Sequence, residues 1–345
     1  MAMNSRERVL GLFRKAKLDR IPVFSGMGNV TIHGLQKYGW NFAEIHVDAY
    51  KMTKMAASTF QLFGFECAVV PFDMGVEAEV LGAAVNFYPH RTDIVYPTIS
   101  QKVAEKVTDL TIGMPANLAQ AGRIPLVTEA IRQLKSEVGD QVAIGAWVLG
   151  PYTLAGQLVE LADLAKTAFR NTDVVQKVLA KLAAVLIEIC HLYRQAGANY
   201  LTIREMGAGA DILSPRLFKI LIQPHLATIF RQIASPKILH ICGDTDSIVE
   251  MMAACGADAI AVEPKNHVAE TRKKLGPAAL ILGNIDAYGV MVQGKPDDVE
   301  KAVKDAIANG VNAIWPGCDI WPTAPHENMT ALMAAVRQYG QLCNH

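Results

Sequence analysis

Residues 235–286 read SPKILHICGDTDSIVEMMAACGADAIAVEPKNHVAETRKKLGPAALILGNID. Three short apolar runs stand out, Ile238–Cys242, Ala257–Glu263 and Ala279–Asn284. The segments between them are long enough for one helix each. The runs are continuous rather than alternating, as expected of parallel strands covered on both faces. Strand, helix, strand, helix, strand is the unit of an α/β fold with a parallel sheet.

Outward from this stretch the unit recurs. Further runs at Ile21–Gly26, Cys67–Asp73, Val142–Leu149, Tyr200–Glu205 and Asn312–Cys318 bring the total to eight. Between them lie helical patterns. Val174–Tyr193 carries Val175, Val178, Leu179, Leu182, Val185, Leu186, Ile189 and Cys190 at helical spacing, and Gly197 follows its end. Ser214-Pro215 supplies an N-cap and a first-turn proline for another helix, which Pro224 is expected to kink. Pro296-Asp297-Asp298 opens a third that Gly310 closes, and His326–Tyr339 is the last. Eight strand–helix alternations predict an α/β (β/α)8 TIM barrel, written as one domain over 1–345. No G-x-G-x-x-G follows an early strand, which weakens the rival doubly wound dinucleotide fold. Residues 74–125 break the alternation, with Tyr88-Pro89-His90 and Tyr96-Pro97, and are expected to form an inserted hairpin or lid after the second strand.

Composition removes several classes of function. The chain is 51% hydrophobic and 19% charged, so it can bury a large core. Lysine plus arginine equals aspartate plus glutamate, 33 against 33, which gives no footprint for nucleic acid or anionic lipid. The uncharged stretch 141–159 is long enough to raise a membrane span, but Gly145, Gly150, Pro151 and Gly156 interrupt it, so a buried strand turning into a helix is expected instead. The first twenty residues carry Arg6, Glu7, Arg8, Arg14, Lys15, Lys17, Asp19 and Arg20, which break any export signal core. Six cysteines without framework spacing suit a reducing, cytoplasmic setting.

In a barrel of this class chemistry sits at the C-terminal ends of the strands. The residues that end these runs are Asp73, Arg204-Glu205, His240 with Cys242, Glu263, Asn284 and Cys318, and Gly150-Pro151-Tyr152-Thr153 follows another. His240 and Cys242, two apart on a strand, would share a face and could hold one Zn2+ through an imidazole nitrogen and a thiolate. Cys318 ends the last run and can close on the same ion, with Glu263 a nearby oxygen donor. On spacing alone, a buried free cysteine beside a chance histidine fits the same residues. Cys67, Cys190, Cys255 and Cys343 read as structural. Asp73, Tyr152, Arg204 and Asn284 are candidates for a substrate pocket. Arg204 suits a bidentate anion, though an ion pair with Glu205 or a helix carboxylate is the commoner use of such an arginine.

His240-Ile241-Cys242-Gly243, together with Pro316-Gly317-Cys318-Asp319-Ile320-Trp321-Pro322-Thr323-Ala324-Pro325-His326-Glu327-Asn328, resembles the zinc-dependent methylcobamide:coenzyme M methyltransferases of the uroporphyrinogen decarboxylase superfamily. Gly150-Pro151-Tyr152-Thr153-Leu154-Ala155 and Leu213-Ser214-Pro215-Arg216-Leu217-Phe218 resemble motifs of that superfamily too. The resemblance implies a (β/α)8 fold and one zinc per chain on His240, Cys242 and Cys318. The order His-x-Cys, then Glu, then a distant Cys is also similar to cobalamin-independent methionine synthase, which raises Glu263 as a fourth ligand. Residues 19–25, DRIPVFS, lack the arginine-rich motif of true uroporphyrinogen decarboxylases, which argues against that lyase activity. Glu205-Met206-Gly207-Ala208-Gly209 departs from the Asp-Pro pattern at that point, so the acceptor stays open. No D-x-H-x-x-G signature is present, so a corrinoid would arrive on a partner protein.

The activity implied by the resemblance is methyl transfer from a methylated corrinoid protein to a thiol, with coenzyme M as the expected acceptor, as in methanogenesis. The alternatives are a tetrahydrofolate acceptor, an O- or N-demethylase that loads the corrinoid, and, more remotely, a decarboxylase-like lyase.

Overall fold

The computed structural model describes residues 3–342, so Cys343 lies outside the described residues. Seven strands form one parallel sheet: β1 (Cys67–Val70), β4 (Ala143–Leu149), β5 (Tyr200–Arg204), β6 (Lys237–His240), β7 (Ala259–Ala261), β8 (Ile281–Ile285) and β9 (Ala313–Pro316), neighbours in that order. A separate antiparallel pair, β2 (Ala84–Asn86) and β3 (Thr98–Gln101), lies within the segment expected to be inserted. β1, β4 and β9 are buried along their whole length, which is why their sequences are unbroken apolar runs.

The expected first strand, Ile21–Gly26, is not a full strand. Residues 22–24 nevertheless bridge β9 and β1. The Phe24 amide donates to the Ile314 carbonyl, the Ile314 amide to Pro22, and the Glu66 amide to Val23. Those bonds close the sheet into a barrel. The ladder stops there because Pro22 has no amide to give, and the Ser25 amide turns to the Cys67 sulfur at 3.2 Å instead of a carbonyl. A buried carboxylate fastens the same seam. Glu66 accepts from both Arg8 and Arg20 and, at 2.9 Å, from the Val23 amide.

The stretch 141–159 is the expected strand and helix, β4 followed by Pro151–Leu158. Among the described residues no helix is long and apolar enough to cross a membrane. The long amphipathic helix runs Thr172–Ala196, two to three residues beyond the sequence limits at each end. The Ser214 hydroxyl accepts from the Leu217 amide, as an N-cap should. Pro224 sits in the first turn of Gln223–Gln232, and the turn before it, Phe218–Ile222, is widened to a π-helix. The proline is thus accommodated by a wide turn in which its missing amide is not needed. Helices Pro296–Ala308 and His326–Tyr339 start where the sequence placed them.

A candidate metal and substrate site at the strand ends

Register brings the strand ends into one row. Arg204 of β5 pairs with Leu149 of β4 on one side and with His240 of β6 on the other, and His240 pairs with Ala261 of β7. β6 ends at His240, so Cys242 lies beyond the strand rather than two places along it. The chain turns there at Gly243, whose φ of +84° only glycine adopts without strain. The turn still leaves the Cys242 sulfur 3.3 Å from His240 Nε2. Glu263 follows β7, and its Oε2 accepts from the Gly243 amide at 2.8 Å. One donor atom from each of His240, Cys242 and Glu263 falls within 4.8 Å of the other two.

Cys318 follows β9, and its thiol interacts with that of Cys242 across the barrel mouth. It stands outside the mutual 4.8 Å of the other three, so Glu263 is the nearer third donor. The sequence reading named Cys318 as the third ligand and Glu263 as a fourth; in the structure Glu263 is the nearer of the two. The reason is that the turn at Gly243 swings Cys242 toward the end of β7, the neighbouring strand. That interaction lowers Cys318 and raises Cys242, so one thiol of the pair ionises before the other and the second proton is held harder. Burial holds the His240 imidazole down at about 3, neutral at ordinary pH, with Arg204 beside it adding to the effect. A neutral imidazole, two adjoining thiols and a carboxylate fit a zinc ion. They are the nitrogen, sulfur and oxygen donors it takes, and a second positive charge is what would let both thiols ionise together.

Beside this cluster is a cavity of about 260 Å3, lined by Phe72, Asp73, Met74, Tyr96, Pro97, Arg204, Cys318, Asp319 and Trp321. Tyr96 and Pro97 belong to the connection between β2 and β3, so the hairpin segment supplies one wall. Asp73 is on the wall as expected, but it is fully engaged. Arg123 grips both its oxygens at 2.7 and 2.8 Å, His46 Nδ1 bonds it at 2.8 Å, and the Gly75 amide adds a fourth contact. Burial opposes its charge, but Arg123 and His46 outweigh burial and hold its carboxyl well below the usual range. Arg204 also faces the cavity. Its Nη2 lies 2.7 Å from Asp319, and its guanidinium is stacked 4.5 Å over the Trp147 ring.

Two expected pocket residues lie elsewhere. Asn284 turns its amide to the carbonyls of Glu263 and Asn266 and borders a separate surface groove. Tyr152 packs against Gly207, and its amide donates to Glu205. Glu205 itself is buried at the start of helix Pro151–Leu158, where it accepts from the Tyr152 and Thr153 amides and the Thr153 hydroxyl. It caps that helix. His46, Arg123 and Asp319 were missed by sequence reasoning. Asp319 had a signal, its position next to Cys318; Arg123 and His46 had none, since their partner Asp73 is 50 and 27 residues away.

A family model described as uroporphyrinogen decarboxylase matches residues 4–339. A methylcobamide:CoM methyltransferase, MtaA, of Methanosarcina barkeri is 31% identical over 97% of this chain and 98% of its own length. A second such enzyme, MtbA of Methanosarcina acetivorans, is 25% identical over the same shares. The solved structure of a methyltransferase from Methanosarcina mazei superposes with a TM-score of 0.91 at 28% identity, covering 98% of this chain and 99% of that one. A B12-independent methionine synthase from Shewanella shares the fold, with a TM-score of 0.59 at 11% identity over 92% of this chain and 98% of that one. With nearly its whole length matched, the chain belongs to the uroporphyrinogen decarboxylase family and is similar throughout to that family's corrinoid-dependent methyltransferases.

Proposed function

We propose that this chain transfers a methyl group from a methylated corrinoid, carried by a partner protein, to a small thiol, with coenzyme M as the acceptor. The observation that carries the reading is the thiol pair Cys242–Cys318 with His240 and Glu263, at the edge of a cavity sized for a small molecule, in a chain 31% identical to a methylcobamide:CoM methyltransferase.

The chemical obstacle is the nucleophile, because an alkyl thiol is mostly protonated at neutral pH and the thiolate is what attacks. A zinc ion held by His240, Cys242 and Cys318, with Glu263 as the donor that yields its place to the acceptor, would supply the positive charge that favours ionisation of an acceptor thiol. The chain's own groups do the rest. As thiolates Cys242 and Cys318 would balance the ion's two positive charges, so that a third sulfur would keep its electron density. His240, kept neutral by burial, adds a donor without adding charge. Glu263 is held through Oε2 by the Gly243 amide and is the base placed to receive the thiol proton. In the transfer the cobalt–carbon bond breaks, the carbon–sulfur bond forms, and cobalt retains the electron pair.

The test is demethylation of free methylcobalamin with coenzyme M, homocysteine and tetrahydrofolate assayed side by side. Reaction with coenzyme M above the other two is expected. Reaction with tetrahydrofolate alone would overturn the thiol reading.

A further inference from the structure

Two ion pairs face the cavity beside the thiol pair, and they are built differently. Asp73 is locked by four bonds, including both arms of Arg123, and is buried. Nothing small can compete for it. The Arg204–Asp319 pair is lopsided. Arg204 is fully committed to its place, only 3% exposed, on the stiff end of β5 and stacked on Trp147. Its contact with Asp319 is one good bond of 2.7 Å and one long one of 3.4 Å, and its buried Nε has no partner among the described residues. Asp319 is 30% exposed and sits in the loop after β9, with Cys318 beside it. The cation is therefore fixed and under-satisfied, and the anion is the movable member.

Resting on the thiol-transfer reading above, we propose that Asp319 is a specificity-determining residue: it holds Arg204 as a stand-in until the acid group of a small anionic thiol takes its place. Arg204, Asp319 and Cys318 line the same cavity, so a molecule whose acid end reaches Arg204 has its other end within the space that Cys318 borders. The remaining walls, Phe72, Met74, Tyr96, Pro97 and Trp321, are apolar or aromatic and suit a short alkyl chain between the two ends. A planar guanidinium with two well-placed donors favours a strong acid, sulfonate or carboxylate, over a neutral hydroxyl. With a neutral thiol Asp319 stays on Arg204 and nothing holds the far end of the substrate.

Ethanesulfonate, which has the acid group and no thiol, is the probe, because its binding needs neither metal nor methyl transfer. Calorimetric titration into the whole unmodified chain is expected to show binding of ethanesulfonate and none of ethanol at the same concentrations. Asp319→Asn, nearly the same shape without the competing charge, is expected to bind ethanesulfonate about threefold tighter or more, while Arg204→Gln loses it. Equal or weaker binding by Asp319→Asn, or equal binding of ethanol and ethanesulfonate by the unmodified chain, would overturn the proposal, and neither result depends on Arg204→Gln being stable. Methyl transfer to 2-mercaptoethanol as efficient as to 2-mercaptoethanesulfonate would also overturn it while leaving the thiol reading intact. Ethanesulfonate binding without transfer to any thiol would do the reverse.

Discussion

Replacing Glu77 by glutamine should make the protein markedly less sensitive to alkaline pH. Glu77, in the short helix Val76–Val80, is completely buried. One oxygen accepts a long bond, 3.3 Å, from the Leu149 amide, and the other has no partner among the described residues. Burial therefore dominates and pushes its carboxyl up from 4.5 to about 7. The folded protein holds this proton more tightly than the unfolded chain does. The associated stability is complete below pH 4.5 and is lost as pH rises through 7. The gap of about 2.5 units is worth about 3 kcal/mol in full, of which between about 2 and 3 kcal/mol falls between pH 5 and pH 8. Glutamine mimics the protonated acid and has nothing to lose over that range. Denaturant unfolding of both proteins at pH 5, 6, 7 and 8 should show the variant gaining on the unmodified protein by that amount toward the alkaline end. Glu205, raised to about 7 by the same cause, leaves a residual slope in both. Parallel stability curves for the two proteins would refute the reasoning.

Asp73→Asn removes the two-armed partner of the buried Arg123 and leaves it only Glu79, and should cost about 2–3 kcal/mol, read as a fall in the thermal midpoint. Glu263→Gln keeps the bond to the Gly243 amide but weakens the oxygen donor, and chelator competition should show zinc held less tightly with the fold unchanged. Removing metal with 1,10-phenanthroline should abolish methyl transfer and adding zinc should restore it. Methyl transfer that survived chelation would contradict the role given to the metal.

The barrel was legible because its strands are buried on both faces and so appear as bare apolar runs. Helix ends were legible where a cap or proline marks them, as at Ser214 and Pro296. The edge of the barrel at Ile21–Gly26 was overread, because apolar content says nothing about where a proline and a sulfur acceptor end the ladder. The reactive residues were legible as residue types at strand ends, and His240 and Cys242 do meet. Their meeting owes more to the turn at Gly243 than to strand alternation. Which third donor comes nearer, Glu263 or Cys318, depends on how that turn tilts, and spacing carries no trace of it. The cavity's charge arrangement was the least legible part. Asp73 looked like a free binding group and Arg204 was expected to pair with Glu205 or a helix carboxylate; the partners that occupy them, Arg123, His46 and Asp319, are distant in sequence or were passed over beside a more conspicuous cysteine.

The central claim is that His240, Cys242, Cys318 and Glu263 hold one divalent ion between them. Zinc content, measured on the unmodified protein and on Cys318→Ala after both have been offered excess metal and desalted, tests it most directly. About one zinc per chain in the first and a steep loss in the second is expected. A chain that takes up no zinc, or a variant that retains it in full, would contradict the account.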